Sequence, residues 1–187
     1  NFGKIRASLV DATTACMFID ARDLGLIGNE LPKELEAKES LLNSLETIRL
    51  FGGEAMRLTG NRLSVPKLAM IAPSLHSHTL SDSSLSERDI DITARIISMK
   101  RPHRVLPLTG AMCLTVAAEI EGTIVNELVN SQRVNSGSIV IGHPSGSLSL
   151  SAKVFRNASN NDWEAENIVV IRTARRLMEG KVLIPHR

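Results

Sequence analysis

Three short segments carry residue types suited to holding an anion. The first is Pro102-His103-Arg104, followed by Leu108-Thr109-Gly110-Ala111. A helix that begins Thr-Gly-Ala offers backbone N–H groups with no partner on an unhindered backbone, which suits a carboxylate or a phosphate. His103 and Arg104 stand just upstream and could add donors and charge. The plainer alternative is that Thr109 caps the helix and Gly110 only permits close packing. The second segment, Gly142-His143-Pro144-Ser145-Gly146, offers an imidazole, a hydroxyl and backbone N–H groups in one turn, although a tight turn needs no function. The third is Arg172-Thr173-Ala174-Arg175-Arg176. Three arginines so close usually form a solvated face, yet the planar guanidinium also grips carboxylates at two points.

The remaining reactive side chains point elsewhere. Cys16 and Cys113 are the two cysteines. Their number would allow a disulfide, but apolar neighbours and the absence of CxxC spacing favour buried free thiols in a cytosolic protein. Cys113 lies one helical turn after Thr109, in an apolar stretch, whereas a reactive thiol needs a polar or cationic setting. His76 and His78 form the one close histidine pair, with no cysteine nearby, so no metal site is expected.

The elements that must position these residues follow from periodicity. Thr109 to Ile120 is the clearest helix, with Thr109 as expected N-cap and Gly122 as stop. It is apolar nearly all round until Glu119, so protein must surround it. Strands are expected within Ile5 to Phe18, over Pro66 to Pro73, and after Gly122 at Thr123–Val129, Ser138–Ile141, Ser147–Phe155 and Asn167–Thr173, with a last short one at Val182–Ile184. Pro32 to Leu58 has helical spacing, which Gly52-Gly53 is expected to break or bend. Ser74 to Ser86 is polar and serine-rich, a surface loop. Glu87 to Met99 fits helix or strand in parts, and Ser86 as a cap favours some helix. The sum is an α+β domain: a mixed or antiparallel, barrel-like sheet wrapped around one buried helix at about 109–121.

Composition sets limits. The chain has 187 residues, enough for one domain, with 43% hydrophobic and 22% charged residues, as in ordinary globular proteins. Aromatics are 3% and the formal charge is +2, which gives no stacking platform or basic face for nucleic acid. No apolar run approaches the length of a membrane span, and residues 1–10 carry no signal-peptide core.

Taken in order, several stretches resemble one family. They are Ser8-Leu9-Val10-Asp11 leading to Phe18-Ile19-Asp20-Ala21-Arg22-Asp23-Leu24-Gly25, then Gly28-Asn29-Glu30-Leu31-Pro32, then Pro66-Lys67 to Ala72-Pro73. His103-Arg104 before Thr109-Gly110-Ala111, Glu121-Gly122-Thr123, His143-Pro144-Ser145-Gly146 and Arg172 to Gly180 continue the match. Together they resemble the second half of PrpF-type proteins, over about residues 8 to 185. Each motif alone is weak, while their order and spacing are specific.

The resemblance implies a diaminopimelate epimerase-like fold of two similar domains, each with a sheet around a central helix and with the active site in the cleft between them. Residues 1–180 would be the C-terminal domain, and 181–187 a tail that pairs with the N-terminal domain. Members include 2-methylaconitate cis–trans isomerase, methylitaconate and aconitate Δ-isomerases and 4-oxalomesaconate tautomerase. The implied chemistry is cofactor-independent and metal-free, in the cytoplasm. A proton leaves next to an activated double bond of a small unsaturated polycarboxylate and returns at an allylic carbon. Carried over by residue, His103, Arg104, Thr109, Gly110, Ala111, His143, Ser145, Gly146, Arg172 and Thr173 bind substrate. The family's lysine base and companion cysteine would belong to the N-terminal domain.

Two departures stand out. Pro107 replaces the cysteine that precedes this helix in the related epimerases, which argues against amino-acid racemisation. Thr14-Ala15 replaces the Asn-Pro of many relatives. The competing expectation is a non-catalytic module that binds a carboxylate or forms a homodimer.

Overall fold

The chain alternates strands with two helical connections, and these connections decide which side of the sheet each apolar residue serves. The computed structural model describes residues 2–59, 63–129, 137–172, 174–181 and 183. Strands β1 (Ser8–Ala12) and β2 (Thr14–Asp20) form an antiparallel hairpin that turns at Thr13, whose φ is 68°. Helices α1 (Pro32–Glu36) and α2 (Glu39–Ala55) lead to β3 (Lys67–Pro73), which lies parallel to β2. A two-residue ladder, β4 (Ser77–His78) with β5 (Ser84–Leu85), precedes β6 (Ile92–Ser98), antiparallel to β3, and the short β7 (Arg101–Pro102). Helices α3 (Leu108–Glu119) and α4 (Ile124–Leu128) then connect to β8 (Ile139–His143), parallel to β6. Strands β9 (Gly146–Arg156) and β10 (Trp163–Val170) finish the sheet, in the order β1-β2-β3-β6-β8-β9-β10.

Side chains on successive residues go to opposite faces. On β2, Cys16 and Phe18 enter the core around α3, and Met17 and Ile19 enter the core under α1 and α2. On β3, Ala69 and Ile71 take the first side and Leu68, Met70 and Ala72 the second. The α3 side gathers Cys113, Leu114, Ala117 and Ala118 with Ile92, Ile96, Ile139, Ile141 and Leu150. The fold is thus the expected α+β domain, a sheet wrapped on a buried central helix.

Local expectations differ at several places. Ile92–Ser98 is wholly strand, buried along its entire length. It is covered on both faces, so its polar residues Thr93 and Arg95 are buried as well, and Ile92, Ile96 and Ile97 mimic helical spacing. Gly52 and Gly53 lie inside α2 and do not end it. A Cβ on Gly52 would stand 2.7 Å from Met17 Sδ, and one on Gly53 3.2 Å from Pro66 Cδ, so these glycines let the helix approach the sheet. Residues 123–129 are not strand: Thr123 caps α4, its hydroxyl accepting from Asn126 N–H at 3.1 Å. Thr109 is not the cap of α3 but its second residue, after Pro107. The 74–86 stretch is not only surface, because Ser77 and Thr79 are buried. Val182 and Ile184, at the ends of the expected last strand, lie outside the described residues.

Candidate carboxylate site

Helix α3 starts with donors and no acceptor of its own. Its cap residue is Pro107, with no side-chain capping bond and no acidic residue in the first turn. The first backbone bond runs from Ala111 N–H to Pro107 C=O, 2.9 Å. The N–H groups of Leu108, Thr109 and Gly110 precede it and have no acceptor in the helix. Ala111, expected as a binder, therefore spends its N–H inside the helix, while the N–H of Leu108, absent from the expectation, has no acceptor there. Gly110 is buried because the sheet comes close: a Cβ there would lie 2.6 Å from Ile96 Cδ1 and 3.8 Å from Lys67 Cδ.

Other elements converge on this end. The Thr13 hydroxyl, at the β1–β2 turn, donates to Thr109 C=O at 2.9 Å. His103 N–H donates to Ile96 C=O at 2.8 Å, which anchors the segment entering the helix. The His103 imidazole is half-buried and held below its ordinary pKa by burial first and by the Lys67 charge second. The 143–146 turn joins the same segment: the Ser145 hydroxyl donates to Arg104 C=O at 2.6 Å, and Ser145 N–H donates to His143 Nδ1 at 3.2 Å. His143 ends β8 on the alternation of Ile139 and Ile141, both in the α3 core. Its pKa is pushed down to about 4, by burial first and by Arg95 second. Gly146 has φ 136°, a conformation that a side chain would strain.

Eight of the expected binders thus gather at one end of α3: His103, Arg104, Thr109, Gly110, Ala111, His143, Ser145 and Gly146. The Arg104 side chain is exposed, and its documented part here is its carbonyl. Arg172 is exposed, two residues past the end of β10, and bonds to none of these. Thr173 lies outside the described residues. Lys67 and Thr13 were missed. Lys67 had a signal, as the single charge heading an apolar strand; Thr13 is legible only once β1 and β2 pair.

The cysteines behave as packing residues. Both are fully buried and free, and Cys113 Sγ lies 3.4 Å from Val10 C=O. The Cys16 thiol is kept protonated, first by its contact with the Cys113 thiol and then by burial. Among the described residues, no group of three or more His, Cys, Asp or Glu is placed to hold a metal ion. None of their helices is long and apolar enough to cross a membrane. A cavity of about 630 Å³ is elsewhere: it lies along α3 between the edges of β1 and β10, with Val10, Met112, Val116 and Ile168 in its walls. Its charged residues are Asp11 and Glu164, the wrong sign for an anion, so the helix end is the better candidate for a carboxylate.

The PrpF protein family model matches residues 1–185. The chain belongs to the PrpF family. It is 32% identical over 189 residues to a 2-methyl-aconitate isomerase of Shewanella oneidensis, covering 98% of this chain and 47% of that protein. It is 31% identical over 191 residues to the 3-methylitaconate isomerase of Eubacterium barkeri, covering 97% of this chain and 48% of the relative. Among solved structures, a methylitaconate-delta-isomerase superposes with a TM-score of 0.80 at 28% identity, over 93% of this chain and 45% of that one. The chain spans about half the length of these PrpF relatives, and the superposition extends the family likeness to the fold of that half.

Proposed function

We propose that this chain is the carboxylate-gripping half of a cofactor-independent isomerase acting on small unsaturated di- and tricarboxylates of the aconitate, methylaconitate or methylitaconate type. The observation that carries the proposal is the uncapped, acid-free start of α3, met by the 143–146 turn, His103 and Lys67. A carboxylate seated there answers three N–H donors and the helix dipole at once. The isomerase names borne by two PrpF relatives and by the solved neighbour support the reaction class.

In the proposed mechanism, a base removes a proton beside the double bond, the carboxylates delocalise the charge, and the proton returns at the allylic carbon. Donors at the helix end stabilise the charged intermediate more than the substrate, which is what accelerates the step. The base belongs to the preceding half of a protein of the relatives' length. The test is to incubate this chain, and the longer protein, with cis-aconitate or 2-methylaconitate and follow isomers by NMR. Turnover by the longer protein alone is the expected result. No turnover by either leaves the alternative, a carboxylate-binding or dimerising module. If Arg172 also grips substrate, Arg172→Ala in the longer protein lowers kcat/KM by about tenfold or more, and unchanged kinetics remove it from the site.

A further inference from the structure

His143 differs from the other residues at this end of α3 in how completely its state is set by its surroundings. It is 7% exposed. Its Nδ1 accepts the Ser145 N–H at 3.2 Å. A neutral imidazole has one donor and one acceptor nitrogen, and a protonated one has two donors. Protonation would therefore set N–H against N–H at Nδ1 and strand the Ser145 amide. With Nδ1 committed as acceptor, the proton must sit on Nε2. That nitrogen has no hydrogen-bond partner among the described residues, yet it is not among the buried atoms cut off from solvent without one. It is thus a nearly desolvated N–H with a narrow opening.

The surroundings hold this state. The charge acting on the ring is Arg95, from the neighbouring β6. Arg95 is itself 2% exposed and is clamped by carbonyl oxygens, Glu30 at 2.6 Å, Asn29 at 2.9 Å and Ala94 at 3.0 Å. No carboxylate hydrogen-bonds it among the described residues, so its positive charge is only partly answered, by Glu30 and Glu34 at longer range. The turn after His143 is itself braced, by Ser145 on Arg104 C=O and by Leu80 N–H on Pro144 C=O at 2.7 Å. A second positive charge beside Arg95 is opposed, whereas an uncharged donor is not.

We infer that His143 serves the proposed site as an uncharged hydrogen-bond donor, its Nε2–H directed at a carboxylate or carbonyl oxygen of the bound polycarboxylate. This rests on the carboxylate reading of the α3 start. Such a donor polarises the substrate oxygen and stabilises charge developing on it without releasing a proton, so it does not compete with the base for the migrating proton. It also leaves binding insensitive to the ordinary histidine titration.

The test is NMR of the imidazole nitrogens in this chain, free and with millimolar trans-aconitate, alongside the backbone amides of Leu108, Thr109 and Gly110. The expected result is a neutral ring with the proton on Nε2 down to below about pH 6, and a ligand-induced shift of the Nε2 resonance together with those amides. A proton on Nδ1, or titration near the ordinary histidine value, overturns the inference. So does a ligand that shifts the α3 amides and leaves the ring silent, which spares the carboxylate site. If neither responds, the carboxylate reading falls and the donor role falls with it. Two variants add a functional readout. His143→Gln keeps an N–H near the Nε2 position and should bind within about threefold of the parent, while His143→Asn keeps an acceptor for Ser145 N–H but no such donor and should bind about tenfold or more weakly. Equal loss in both, with the parent fold retained, contradicts a donor role.

Discussion

Helices α2 and α3 hold corresponding places in the chain. Each lies in the connection between parallel neighbours, β2 to β3 and β6 to β8. Each presses a glycine on the sheet, Gly52 against Met17 and Gly110 against Ile96. Each starts without a side-chain cap, after Lys38 and after Pro107. Yet α2 carries Glu39 in its first turn, whereas α3 has no acidic residue there and is met by Lys67, His103 and the 143–146 turn. An uncapped helix start is therefore common to a scaffold element and a candidate site. What separates them is whether the helix brings its own anion and whether other elements bring donors to the same place.

The comparison can be broken first on the scaffold side. Arg49 of α2 is 2% exposed, paired with Glu46 at 2.8 Å and donating to Val65 C=O at 2.9 Å. Arg49→Met strands a largely buried carboxylate and should cost about 3 kcal/mol or more in urea unfolding. Binding of trans-aconitate by the folded fraction should stay unchanged; a matching loss of binding would erase the distinction between the two helices. On the site side, Thr109→Asp gives α3 the anion it lacks. Binding of trans-aconitate by calorimetry should weaken about tenfold or more, while the helix gains about 0.3–1 kcal/mol. Tighter or unchanged binding would contradict an anion seat there.

A pH series sharpens the contrast. His143 has a folded pKa of about 4, below its unfolded value of about 6.5. The unfolded chain binds the extra proton first, so this contribution to stability is complete above about 6.5 and declines as pH falls toward 4. Urea midpoints should show that decline, reduced in His143→Gln. Asp20, lowered mainly by its hydrogen bonds with the Arg22 side chain, and Glu46, lowered mainly by Arg49, change their contribution only at lower pH. Their pairing is present above the ordinary carboxylate range and is lost as pH falls through their depressed values, so His143→Gln should keep it. The smallest effect is expected for Glu39→Gln, about 0.3–1 kcal/mol of stability at most and no change in ligand binding.

Legibility in the sequence followed burial. The strands with one polar face and the apolar α3 were readable, because periodicity records which side meets water. β6 was not, since both of its faces are covered. Gly52-Gly53, expected to break or bend the helix, does not end it, because a glycine's weak helix propensity is local, whereas its value against Met17 and Pro66 depends on what packs there. Thr123 to Val129 has strand-like composition, but the cap by Thr123 and the α3 contact make it a helical turn. The family and its motifs were legible in order and spacing, and they named most of the residues that gather at the start of α3.

The sequence by itself determined an α+β domain built on a buried helix near residue 109, the PrpF likeness, and an anion-friendly set of residues. It determined these because composition and periodicity are properties of the chain. Tertiary structure alone decided which donors are free: Leu108 rather than Ala111 supplies an open N–H, Thr109 is not the cap, and Lys67 joins from β3 and Thr13 from the β1–β2 turn. It also set the surroundings on which the donor role proposed for His143 depends: the Ser145 amide at one nitrogen, burial around the ring and Arg95 behind it. Partners set by pairing and packing across distant segments leave no trace in local spacing.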